Sequence, residues 1–131
     1  MSAFEAIVSR IQNSNNLHIV EFEANHQIVR MMSLELSKDI QVGAKVKLLV
    51  KPTHIAIAKN FAGELSYANQ LASTIHSIEY GELLCSITLA CCSTFLEAII
   101  TLESAKNMHL HLGDSVTTLI KASELSIVKV Y

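Results

Sequence analysis

Val42-Gly43-Ala44-Lys45-Val46-Lys47-Leu48-Leu49-Val50-Lys51-Pro52-Thr53 and Leu112-Gly113-Asp114-Ser115-Val116-Thr117-Thr118-Leu119-Ile120-Lys121-Ala122-Ser123 are two versions of one motif. Gly, Val, Leu and Lys recur at a constant offset. Val50 corresponds to Ile120 and Thr53 to Ser123, and the match runs on through Ile55/Leu125 and Ile57/Ile127. A glycine turn followed by a short run of Val, Leu and Ile reads as a turn leading into a strand. A chain that repeats such a unit is built from two like modules.

Outward from this motif the order of elements is also repeated. The first half reads as strands over 3–11, 17–23, 27–32, 45–50 and 53–58, with a short helix predicted over 33–39. Ser33 would cap that helix, and Glu35 lies in its first turn, where negative charge suits the dipole. The second half reads as strands over 67–78, 83–91, 95–101, 115–120 and 124–130, with a helix over 102–108 capped by Thr101. Ser2 and Ser66 are taken to open the two copies, and 59–65 to link them. Strand-strand-strand-helix-strand-strand is the order of an OB-type barrel. The expected fold is all-β with short helices: two tandem OB-type five-stranded β-barrels, over residues 1–59 and 66–131.

Composition narrows the function. The chain has 131 residues, half of them apolar and 17% charged, so it can bury a core. Its formal charge is -2 and only 5% of it is aromatic. Single-stranded nucleic-acid binders need a basic groove with stacking rings, and this chain offers neither. No apolar run approaches the roughly 20 residues that cross a bilayer, and the N-terminus lacks a signal peptide's basic and apolar regions. A cytoplasmic location without a membrane partner is expected. The cysteines, Cys85, Cys91 and Cys92, are odd in number, two of them adjacent within an apolar strand-like stretch. They read as buried reduced thiols rather than a disulfide framework. Modules this small bury a modest share of their surface, which predicts a homo-oligomer.

Catalytic signatures are missing. There is no Gly-x-Ser-x-Gly elbow, no phosphate-cradling glycine loop and no His-Glu-x-x-His. Of the six histidines, His109-x-His111 is the one local pair, and it reads as part of a surface loop with no bound metal cation. The repeated polar positions are more telling. Each copy keeps an early serine, a Ser or Thr where the third strand meets the helix (Ser33, Thr101), and a lysine followed two residues later by a hydroxyl (Lys51 and Thr53; Lys121 and Ser123). These read either as a solvated strand-end lysine beside ordinary helix caps or as an oxyanion site. In the second reading, free backbone N–H groups, directional hydroxyls and one ammonium would hold a compact dianion.

At these residues the chain resembles a known family. Asn69-Gln70-Leu71, then Leu-Glu-Ala-Ile-Ile-Thr-Leu-Glu-Ser over 96–104 with Ala105, then Leu112-Gly113-Asp114 and Leu119-Ile120-Lys121-Ala122-Ser123, are similar to the molybdate-binding Mop or TOBE module, in the tandem arrangement called molbindin. The resemblance covers nearly all of the second copy and the last three strands of the first. It implies OB-type barrels in an oligomer, commonly a trimer, that binds molybdate or tungstate at module interfaces without turnover and needs no cofactor. The family's S-A-R-N, T-x-x-S-A and K-x-S segments carry over onto Ser66 with Tyr67, onto Thr101 with Ser104 and Ala105, and onto Lys121 with Ser123. In the first copy they carry over onto Ser2 with Ala3, onto Ser33, and onto Lys51 with Thr53. The family arginine falls on Ala68 and Phe4, so both copies lack that cation. Leu36 and Ser37 stand where Ser-Ala would be. The implied function is intracellular storage or buffering of molybdate or tungstate. The alternative is an oxyanion-sensing module that acts with a transporter or regulator.

Overall fold

The computed structural model describes residues 2–131. The first half forms β1 (Ser2–Ser14), β2 (Leu17–Ala24), β3 (Gln27–Ser33), β4 (Lys45–Val50) and β5 (Ala56–Ala58). The second forms β6 (Asn69–Tyr80), β7 (Leu84–Cys91), β8 (Thr94–Thr101), the helix α1 (Leu102–Asn107), β9 (Ser115–Ile120) and β10 (Ser126–Val130). A 3₁₀ turn precedes each last strand, Pro52–His54 before β5 and Ala122–Glu124 before β10. These are two curled, antiparallel five-stranded sheets of OB type.

The sheets do not follow the halves of the sequence. One has the order β10-β4-β1-β2-β3 and the other β5-β9-β6-β7-β8. Each half lends its last strand to its neighbour: Ser126 pairs with Leu49, and Ala56 with Leu119. Pro52 fixes φ and cannot donate to a ladder, so the chain leaves β4 through a 3₁₀ turn and crosses to the other sheet. The exchange makes each barrel depend on the other.

Register reveals the true correspondence between the halves. Ser2 lies opposite Val50 and Asn69 opposite Ile120. Ser2 is therefore the counterpart of Asn69, not of Ser66, and Phe4 is the counterpart of Leu71. Both long strands bulge at the same place, between Val8 and Arg10 and between Ile75 and Ser77. There Gly43 N–H donates to the Val8 carbonyl at 2.7 Å, and Gly113 N–H to that of Ile75 at 2.9 Å. Gly43 has φ +94° and Gly113 +84°, a region costly for a residue with a Cβ.

The hairpin tips Asn25-His26 and Cys92-Ser93 have positive φ at both central residues, the geometry whose twist matches the flanking strands. Cys92 thus belongs to the turn that follows the strand ending at Cys91. The α1 helix forms because the Thr101 hydroxyl accepts from the Ser104 N–H at 3.1 Å and Glu103 lies in the first turn. No helix forms over 33–39. There the Ser33 hydroxyl donates to the Glu35 carbonyl instead of accepting at a helix start, and the connection is two residues shorter (34–44 against 102–114).

Alternate residues of each strand point into one continuous core. Phe22, Val29 and Leu48 from the first sheet meet Leu71, Ile87, Leu89 and Leu96 from the second, all fully buried. Two polar clamps join the sheets across their edge strands. The Ser2 hydroxyl donates to the Glu97 carbonyl and accepts from its N–H, each at 2.7 Å. Asn69, at the equivalent position, accepts from Arg30 N–H at 2.6 Å and donates to Arg30 carbonyl at 2.9 Å. Arg30 and Glu97 are themselves equivalent, so one device is used twice. Each clamp satisfies edge groups that would otherwise offer themselves to another strand.

Candidate functional site

The two 3₁₀ turns face each other. Each follows a lysine that ends a central strand, and between them lies a cleft of about 220 Å³. Thr53 and His54 from the first turn, Glu124 from the second, and Lys121 and Tyr67 from the second half line it. The volume is several times the roughly 30 Å³ share of one water. Strand exchange is what puts residues of both halves in one cleft.

Three of the residues expected to bind an anion, Thr53, Tyr67 and Lys121, therefore meet within a single chain. The others lie elsewhere. Lys51, Ser66 and Ser123 are exposed and outside this cleft. Thr101 and Ser104 stand at the start of α1, where the Thr101 hydroxyl donates to Ser104 Oγ at 2.8 Å, and Ala105 is buried beneath them. Thr101 lines a second cleft with Leu83, Leu84 and Lys106. Ser33 lines a third, with Ser37 and Ser126. Ser2 is 1% exposed and its hydroxyl is fully committed to Glu97, while Ala3 lines a groove beside Lys47 and Thr94. Phe4, matched to the family arginine on sequence, is a core residue whose counterpart by register is Leu71 and not Ala68, so that match does not hold. Ala68, the position aligned with the family arginine in the second copy, is half-buried and follows Tyr67 in sequence.

Two residues of the cleft were not singled out from sequence. His54 Nδ1 lies 2.6 Å from a carboxylate oxygen of Glu124. They follow Thr53 and Ser123, so they occupy one position in the two copies, and that equivalence is the signal that could have found them. Their pairing occupies the one carboxylate of the cleft. His109 and His111 sit in the turn after α1, where the His111 N–H donates to Asp114 at 2.8 Å. Among the described residues no three His, Cys, Asp or Glu side chains are grouped to hold a metal ion, and no helix is long and apolar enough to cross a membrane.

Exchanged strands, repeated bulges and a hydroxyl- and lysine-lined cleft at the junction define a tandem OB-type two-barrel protein. Residues 65–127, just under half of the chain, match the TOBE domain. Among solved structures, the cytoplasmic molybdate-binding protein ModG, in a form with molybdate bound, superposes with a TM-score of 0.89 at 24% identity. That alignment covers 95% of this chain and 93% of ModG. A molybdate-binding protein from Sporomusa ovata aligns at 34% identity over 51% of this chain and 100% of its own, with a TM-score of 0.49. Comparison with curated proteins gave no match.

Proposed function

We propose that this protein binds molybdate or tungstate as intact dianions in the cytoplasm and stores or buffers them without chemical turnover. The observation that carries this reading is the cleft in which Lys121, Thr53 and Tyr67 converge from both halves of the chain. An ammonium and hydroxyl donors suit a tetrahedral anion that has no proton to give. The His54–Glu124 pair supports it, since a carboxylate already engaged by a histidine repels a dianion less and is a poorer acceptor for a protonated one. The TOBE match over 65–127 and the fold shared with ModG point the same way.

Ser66, Thr101, Ser104, Ala105 and Ser123, with Ala3, Ser33 and Lys51 of the first half, would complete sites between chains of a homo-oligomer, a trimer being favoured, while Ser2 is taken up by its clamp on Glu97. Exposed Leu83, Leu84 and Leu112 offer apolar surface for such contacts. Native mass spectrometry of the protein equilibrated with molybdate, tungstate and sulfate tests this directly. The expected spectrum shows a trimer retaining molybdate and tungstate but not sulfate. A protein that retains none of the three anions would overturn the proposal.

A further inference from the structure

Cys91 ends β7 and Cys92 begins the tight turn into β8. Their Sγ atoms are 3.1 Å apart, and neither is bonded to another cysteine. Both line a cleft of about 440 Å³ between the two sheets, on the other side of which stand Asn25 and Gln27 of the first half. The Gln27 amide nitrogen lies 4.0 Å from Cys91 Sγ and 3.9 Å from Cys92 Sγ. The same side chain is pinned in place by a pair of bonds to the Ala72 backbone. The equivalent tip in the first half carries Ala24 and Asn25, so this arrangement exists once per chain.

We propose that Cys91 and Cys92 form a chelating dithiol site for trivalent arsenicals of the R–As=O class. The sulfur spacing selects the guest. With bonds of about 2.3 Å, a pyramidal centre whose bond angles are near 90° spans two sulfurs about 3.3 Å apart, whereas a linear two-coordinate cation needs about 4.6 Å. A cation that wants three or four protein ligands finds only these two. The Cys92 thiol hydrogen-bonds to Cys91, with help from Ser73 and Gln27, and holds the Cys91 thiol down to about 7 against the opposing effect of burial. The lowered value favours the thiolate, the nucleophilic form, at Cys91.

The reaction balances without an oxidant or reductant. Cys91 sulfur attacks arsenic and the oxide oxygen takes up a proton. Cys92 sulfur then forms the second As–S bond, and the oxygen leaves as water with the second thiol proton. Two thiols and R–As=O give the dithioarsenite and one water, with arsenic trivalent throughout.

The test uses the reduced full-length chain and phenylarsine oxide, read by intact mass and by counting free thiols with a thiol reagent. One adduct per chain, the mass of the arsenical less one water, is expected in the wild type and in Cys85→Ser, with two of three thiols lost from the count in the first and both of two in the second. Cys91→Ser and Cys92→Ser should each weaken capture at least tenfold, with thermal melting used to confirm that each variant is folded. Excess ethanedithiol should strip the adduct. Undiminished capture by either folded single variant, or a wild type that keeps all three thiols countable, would overturn the proposal whatever the variants' stability.

Discussion

His54 Nδ1 and the Glu124 carboxylate lie 2.6 Å apart, although 70 positions separate them in sequence and each is the other's counterpart in the repeat. Both side chains are more than one-third exposed, so the pair contributes under about 1 kcal/mol to stability. Its consequence is for the anion. Glu124→Gln removes a negative charge from the cleft and should tighten molybdate binding. His54→Gln leaves Glu124 uncompensated beside Lys121 and should weaken it. Affinities that move in the same direction for both variants would remove the pair from the site.

The clamps are structural. Asn69 is fully buried and satisfies both backbone groups of Arg30. Asn69→Ala strands a buried N–H and a carbonyl and should cost about 2–4 kcal/mol, with Ser2→Ala costing about 1–3. Urea unfolding followed by circular dichroism measures both.

The missing arginine can be restored at Ala68, and Phe4, which the register aligns with core Leu71, serves as the contrasting position. Phe4→Arg puts an unpaired cation into the core and should destabilise the fold by about 4 kcal/mol or more. Ala68→Arg adds a charged donor beside Tyr67 and should leave the fold intact while strengthening oxyanion binding about tenfold. A Phe4→Arg protein that melts like the wild type would contradict the register.

Acid stability depends in part on the linker. Lys59 Nζ donates to the carbonyls of Met108 and His109 at 3.2 and 2.7 Å and lies 3.1 Å from Asp114. The His111 N–H first, and Lys59 next, hold the Asp114 carboxyl below its ordinary value. The folded state therefore favours ionised Asp114. This contribution is complete above the ordinary carboxylate range, about pH 4, and disappears as pH falls through the lowered folded value. Asp114→Asn should be less stable than the wild type at neutral pH, and the two should converge in acid. Denaturant unfolding across a pH series reads the convergence.

The repeat made much of this fold legible. The motif over 42–53 and 112–123 located β4 and β9 to the residue, because a glycine turn and an uninterrupted apolar run are local signals. What local signals do not specify is the partner of a strand. The pattern that marks 56–58 and 126–130 as strands is the same whether they close their own barrel or the neighbouring one. Ser2 was matched to Ser66 on side-chain chemistry, whereas the pleat aligns it with Asn69. The hairpin tip at Cys92-Ser93 lacks the Asn-Gly or Gly that usually announces such a turn, so the strand end at Cys91 was legible but the tight turn after it was not. Thr53, Tyr67 and Lys121 were singled out from sequence as candidate site residues one at a time. Their meeting in one cleft, and the pairing of His54 with Glu124, depend on the strand exchange.

The central claim is that the cleft under Lys121 holds an oxyanion. Isothermal titration of molybdate into the wild type and into Lys121→Ala tests it most directly. The predicted result is saturable binding that the substitution weakens ten- to a hundredfold, about 1.5–3 kcal/mol. Equal affinity in the two proteins, or no binding heat in the wild type, would contradict it.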